Sequence, residues 1–366
     1  MMSSLIPRAG VLEIPMYVPG RSRVEGHNRI IKLSSNESAL GSSEHAIIAY
    51  QELADQLHRY PDGGAVKLRE AIARIHGDEG NRLHADNIVC GEGSDEIIHL
   101  LAAAYAGNGN EILHTAHGFV MYRLAALGVG AKPVSVPEQE WTPDVDALLA
   151  HVTDKTRVVF VSNPNPTGTY LTHGELARLH AGLPDNMLLV IDAAYAEYVM
   201  EDDYGSGINL VGTADNVVMI RTFSKAYGLA GLRLGWCYGP VDVIRVLNRL
   251  RGPFNVTAPA QAAGVAAVED IAFIERVTKH NAIWVAWFQS ELERLGLTYI
   301  PSATNFVCAE FRDEKKSAAA AIEHMLGDGI LVRDMNAYGL SNHVRITIGL
   351  EDEVRAVIDS LERFLG

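Results

Sequence analysis

The chain has 366 residues, 48% hydrophobic and 21% charged, which provides for a large core in two lobes and rules out a small module or a disordered chain. Its 31 Lys and Arg against 45 Asp and Glu leave a net charge of −14, which disfavours a nucleic-acid face but leaves room for a local anion site. Cys90, Cys237 and Cys308 lie far apart with no CxxC spacing, so neither a disulfide framework nor a cysteine-rich metal centre is expected, and a reducing cytoplasm fits.

Residues 1–41, with Pro15, Pro19 and Gly20, show no regular period and read as an arm that joins the smaller lobe. The N-terminus has no continuous apolar core, and no later run approaches the roughly 20 apolar residues of a membrane span, so a soluble, cytoplasmic protein is expected. From 42 to 252 helical and strand patterns alternate, which predicts a large α/β domain with a mostly parallel central sheet flanked by helices. Its clearest strands are 158–162, 188–191 and 217–220, short aliphatic runs ending in polar loops, and helices are predicted over 97–106 and 173–182. After Gly252-Pro253 the texture changes, and 253–366 is predicted as a smaller α+β domain. An alanine-rich helix starts near Thr257 and a long one runs over 274–296. Strand-like 305–311, a helix over 315–326, strand-like 330–333 and 344–348, and a final amphipathic helix over 352–365 follow. Open α/β sheets bind ligands beyond the carboxyl ends of their strands, and the unusual residues of this chain collect there.

The most informative segment is Thr222-Phe-Ser-Lys225-Ala-Tyr-Gly-Leu-Ala-Gly-Leu-Arg233. A lysine among small hydroxylated residues at a strand end can be desolvated into an amine nucleophile toward an aldehyde, while Thr222, Ser224 and Arg233 can hold a phosphate beside it. That pairing suggests pyridoxal phosphate (PLP). An ionised Asp192, ending an aliphatic strand, would keep a pyridine nitrogen protonated, and Tyr195, three residues on, could bond a ring hydroxyl. Gly91-Glu-Gly93-Ser94-Asp95-Glu96 leads into a helix whose free N–H groups favour a phosphate at Ser94 and Asp95. A nicotinamide fingerprint would need glycine where Glu96 stands.

With these segments the sequence resembles the fold type I PLP-dependent transferases, and more narrowly the histidinol-phosphate aminotransferase family, over nearly its whole length. The resemblance implies that Lys225 carries the cofactor covalently and moves the substrate proton, and that Arg233 contacts the cofactor phosphate. It further implies that Phe119, in His117-Gly-Phe119-Val-Met-Tyr122, stacks on the ring, and that Asn165, in Ser162-Asn-Pro-Asn165-Pro-Thr-Gly168, donates to the ring hydroxyl. This last loop is one residue shorter than the family's usual Asn-Pro-Asn-Asn-Pro-Thr-Gly. Tyr60, in His-Arg-Tyr60-Pro-Asp-Gly, resembles the tyrosine that reaches a neighbouring active site, which implies a homodimer.

For the substrates, a small-molecule amine donor and a 2-oxo acid acceptor, the resemblance points to Arg345 as a carboxylate clamp and to Arg333, Tyr17 and Asn36 as further binding residues. Ser38-Ala39 replaces the family's common Asn-Pro beside Asn36. Histidinol phosphate with 2-oxoglutarate is the expected pair. An aromatic amino-acid aminotransferase, a threonine-phosphate decarboxylase-like enzyme and a non-catalytic PLP-binding protein are the alternatives. No metal is expected.

Overall fold

The computed structural model describes residues 10–14, 29–77 and 83–366. Its centre is a seven-stranded sheet made of β1 (Ile88–Glu92), β2 (Glu111–Thr115), β3 (Lys132–Val136), β4 (Thr156–Ser162), β5 (Leu188–Asp192), β6 (Val217–Thr222) and β7 (Leu234–Tyr238), in the order β1-β7-β6-β5-β4-β2-β3. All neighbours run parallel except β7, which is antiparallel to both β1 and β6. The central strands read as unbroken aliphatic runs because both faces are covered. Successive residues point to opposite sides, so Val159, Val161, Leu189, Ile191, Val217 and Met219 enter one core and Val158, Phe160, Val190, Val218 and Ile220 the other.

The parallel strands end on one edge. Ser162 pairs with Asp192 and Asp192 with Ile220, so β4 and β5 end side by side and β6 runs two residues further, to Thr222. Beyond Thr222 the chain turns through 223–233, which includes Lys225, and returns as β7, whose Gly235 pairs with Thr222. The antiparallel return holds the lysine segment against the strand ends.

A second sheet, β8 (Thr298–Ile300), β9 (Phe306–Glu310), β10 (Arg333–Asp334) and β11 (His343–Thr347), runs antiparallel in the order β8-β9-β11-β10. The stretch 330–333, expected as one strand, divides. Ile330–Leu331 pairs in parallel with Ile31–Lys32, whereas Arg333 joins β11 opposite Arg345. Ile31 and Leu33 thereby enter the small-lobe core with Phe288, Val307 and Ile346.

The boundary expected at 253 needs correction. The helix Ala258–Glu269, begun by the Thr257 hydroxyl accepting from the amide of Ala260, sends Ala260, Ala263 and Ala267 into the large-lobe core beside Ala46 and Leu68. Small side chains permit that approach: a Cβ on Gly264 would stand 2.5 Å from Leu234. The change of lobe falls along the next helix, Ile271–Arg294, where Phe273 and Val277 pack on Tyr198 and Ala226 while Val285, Phe288 and Leu292 belong to the small-lobe core. Composition marked a change of texture, and packing assigns the alanine-rich helix to the larger lobe.

Candidate active site

A cavity of about 530 Å³ opens at the carboxyl edge of the large sheet, between it and the small sheet. Lys225, Asp192, Tyr195 and Arg233 line it, with Thr222 and Ser224 from the same turn. Lys225 Nζ donates to the Ser35 carbonyl at 3.1 Å and lies 5.5 Å from the Tyr195 ring centroid. Burial, reinforced by the positive charge of Arg345, lowers its ammonium pKa to about 8, so an appreciable minority of this amine is neutral near physiological pH.

One end of the cavity is shaped for a phosphate. The helix Gly93–Tyr105 begins here, and its first-turn amides have no intrahelical acceptor. Ser94 and Asp95 line the cavity at that point. Arg233 takes the left-handed backbone conformation (φ 51°), which folds its guanidinium back to donate to Ser224 Oγ and the Ala230 carbonyl, both at 3.2 Å. Two glycines keep the cradle open. A Cβ on Gly93 would stand 2.5 Å from Arg233 Nη2, and one on Gly235 2.3 Å from the Ser94 nitrogen.

The floor carries Asp192. Tyr122 donates to its Oδ2 at 2.7 Å and the amide of Ala194 to its Oδ1 at 3.2 Å. Burial raises this carboxyl to about 6 against those two bonds and the nearby Lys225, a penalty that a cationic ring nitrogen would relieve. Asn36, also left-handed (φ 56°), donates Nδ2 to Tyr195 Oη at 2.7 Å and accepts from Thr347 through Oδ1. Tyr195 thus accepts from Asn36, its own proton has no acceptor among the described residues, and it can donate into the cavity. Phe119 lines the wall as the residue preceding the helix Val120–Val129. An amine, a phosphate cradle, a buried carboxylate, a phenol and an apolar ring in this arrangement fit the aldehyde, phosphate, pyridine nitrogen, hydroxyl and ring face of PLP.

The opposite wall is cationic. Arg345 is only 7% exposed, its guanidinium lies 5.0 Å from the Phe306 ring and 5.2 Å from the Tyr338 ring, and its Nε has no partner. Arg333, paired with it across the sheet, lines the same cavity. Neither forms an ion pair among the described residues, so the wall presents positive charge without an internal counter-ion.

Two expected residues stand elsewhere. Asn165 is fully buried but outside the cavity lining. Its Nδ2 donates to the Glu138 carboxylate at 3.0 and 3.1 Å and to the Trp141 carbonyl at 3.2 Å. Pro164 and Pro166 face the cavity instead, and Asn163 is spent on Leu171 and the Gly205 carbonyl. Asn165, expected to bond the ring hydroxyl, thus has its amide turned to Glu138 and Trp141, and neither it nor Asn163 lines the cavity. Tyr60 is 82% exposed and stacks on Phe254, outside the cavity of its own chain. Tyr17 lies outside the described residues.

Ser35, Tyr338, Glu138, Ser162 and Tyr122 are the contributors not singled out from the sequence. Tyr122 and Ser162 carried a local signal, one a helical turn after Phe119 and the other opening the Asn165 loop. Ser35 and Tyr338 are brought in by the small lobe, and no local spacing marks them.

The model for the family described as aminotransferase class I and II matches residues 28–361. The histidinol-phosphate aminotransferase of Paramagnetospirillum magneticum is 52% identical over 367 residues, covering 100% of both chains. That of Rhodospirillum centenum is 50% identical, covering 100% of this chain and 99% of the relative. Among solved structures, histidinol-phosphate aminotransferase from Sinorhizobium meliloti in complex with pyridoxal-5'-phosphate superposes with a TM-score of 0.90 at 26% identity, covering 100% of this chain and 98% of that one.

Proposed function

The chain belongs to the class I and II aminotransferases, and we propose that it transfers the amino group of histidinol phosphate to 2-oxoglutarate, yielding imidazole acetol phosphate and L-glutamate, with PLP as its cofactor. The observation that carries this reading is a lysine amine of lowered pKa between two anion sites, the Arg233 cradle and the paired Arg333 and Arg345. The full-length relatives at 52% and 50% identity supply the substrate name.

Each side chain then has a task. When bound, PLP supplies an aldehyde that takes up the amino group and a ring that withdraws electrons from the substrate carbon. Lys225 would hold the cofactor through its amine and, as a free base, would carry the proton removed from the substrate carbon. Asp192 holds a proton on the ring nitrogen, Tyr195 donates to the ring hydroxyl, and Phe119 covers one ring face. Ser94, Asp95, Thr222, Ser224 and Arg233 hold the cofactor phosphate. Arg345 clamps the carboxylate of the 2-oxo acid, and with Arg333, Asn36 and Tyr17 it receives the phosphate of histidinol phosphate in the other half-reaction. Tyr60 reaches the phosphate site of a second copy in a homodimer. Among the described residues no helix is long and apolar enough to cross a membrane.

Purified protein should be yellow, lose its long-wave absorbance on borohydride treatment, and turn over histidinol phosphate far faster than phenylalanine with 2-oxoglutarate as acceptor. A preference for phenylalanine would overturn the substrate assignment, and a colourless protein unable to take up PLP would overturn the enzyme.

A further inference from the structure

The segment that provides Phe119 contains a second aromatic residue whose hydroxyl serves the same site from below. Tyr122 is fully buried, its ring stacked on Phe160 with centroids 4.7 Å apart and planes 3° from parallel, and set edge-on to Phe119 at 5.9 Å. It is not part of the cavity wall. Its hydroxyl lies 2.7 Å from Asp192 Oδ2 and 2.8 Å from Ser162 Oγ. A phenol has one proton, and a carboxylate only accepts, so Tyr122 donates to Asp192 and the Ser162 hydroxyl donates to Tyr122. Three residues from three elements form a directed chain, Ser162 to Tyr122 to Asp192, in which each donor polarises the next.

We propose that Tyr122 is a positioning residue for the cofactor: its hydroxyl, backed by Ser162, holds the Asp192 carboxylate ionised and in place for the pyridine nitrogen of PLP. The stacking on Phe160 and the edge contact with Phe119 fix the phenol, so its donor direction costs no reorganisation when the cofactor enters. The chemistry of the other groups near Asp192 agrees. Burial is the largest influence on this carboxyl and favours its neutral form, and the Tyr122 hydrogen bond is the strongest influence opposing it, ahead of the Ala194 amide and Lys225, while Asp95 acts in the unfavourable direction. The phenol itself, with its own ionisation pushed well above the usual value by burial and by Asp192, stays a donor.

The inference rests on the PLP reading and is tested by cofactor affinity, measured by titrating PLP into the cofactor-free full-length protein. Tyr122→Phe keeps the stacked ring and removes only the hydroxyl. It should weaken PLP binding about tenfold, the scale of one hydrogen bond to a buried charge. The same substitution in an Asp192→Asn background should change affinity by about twofold or less, because the charge it serves is gone. A purely structural tyrosine would lose the same factor in both backgrounds, and that result, or unchanged affinity in Tyr122→Phe, overturns the proposal. Thermal melting reports whether the variants fold. Should Tyr122→Phe not fold, Ser162→Ala in the same two backgrounds decides: a loss of about threefold that vanishes with Asp192→Asn supports the relay, and no loss overturns it. If the unsubstituted protein takes up no PLP, the functional reading falls as well. If it binds PLP and Tyr122→Phe binds equally, only this inference falls.

Discussion

At the scale of single residues, the chemistry of the site follows from where charge has been placed out of water. Lys225 is the clearest case. Its amine has a pKa near 8 in the folded chain against an ordinary 10.5, chiefly because of burial. Between those values the unfolded chain binds the extra proton, so this residue makes stability rise with pH from about 8 to 10.5. Below 8 the folded protein bears the full cost of burying an ammonium. The rate at which cofactor-free protein captures PLP is therefore expected to rise with pH through about 8 and flatten above it, followed by stopped-flow absorbance, and Lys225→Arg should show no covalent capture at any pH. A rate independent of pH between 6.5 and 9 would contradict a neutral-amine nucleophile. That Lys225, Asp192 and Arg233 line one cavity was legible in the sequence because each stands in a short segment with recognisable neighbours. The contacts of Asn165 were not legible. Its neighbours match a pattern, but the direction of an amide in a turn depends on the path of the loop, and here it donates to Glu138.

At the scale of elements, buried polar links hold the strands and turns that carry the site. Arg221, near the end of β6, pairs with Glu197 at 2.6 Å with both side chains buried, and its guanidinium lies 5.8 Å from the Trp236 ring of β7. His76, kept neutral by burial and by Arg221, lies between that guanidinium and the hydroxyl of Tyr227. The pair thus ties the β5–β6 connection, the lysine turn and the helix Val66–His76 together. Removing one partner leaves an uncompensated charge, so Glu197→Ala should cost about 3–5 kcal/mol. That loss would be read as a lower midpoint of urea denaturation for the PLP-loaded protein. The paired change Glu197→Leu with Arg221→Met should recover most of it. Strands β4, β5 and β6 were readable as aliphatic runs because burial on both faces removes the need for alternation. The ion pair was not readable, since 24 residues and a whole connection separate its members. The division of 330–333 between two sheets was equally hidden, because three apolar residues ending in an arginine do not specify their partners.

At the scale of the whole molecule, the outer surface is as informative as the cavity. The chain is acidic overall, yet Arg233, Arg333 and Arg345 gather in one cavity, so anionic ligands meet a local field opposite in sign to the net charge. On the outside, Ile47, Ile48, Tyr50, Leu57, Tyr60 and Phe254 are exposed apolar side chains, and Tyr60 stacks on Phe254. Residues of this kind are what an interface between two copies would cover. The protein is accordingly expected to sediment as a homodimer. Ile48→Asp combined with Leu57→Asp should give a monomer with weakened PLP binding, whereas Tyr60→Phe should leave the dimer intact and weaken PLP binding alone. A monomeric unsubstituted protein would remove the proposed role of Tyr60. By itself the sequence determined the two-lobed α/β class, the parallel core strands and the residues that gather around Lys225, because periodicity and short motifs are local properties of the chain. Only the tertiary structure decided that the alanine-rich helix belongs to the large lobe, that Asn165 faces Glu138, that Arg333 stands beside Arg345, and that Tyr122 supports Asp192. Each of those is a choice of partner between segments distant in sequence, made by packing and by the need to satisfy buried polar groups, and no local pattern contains it.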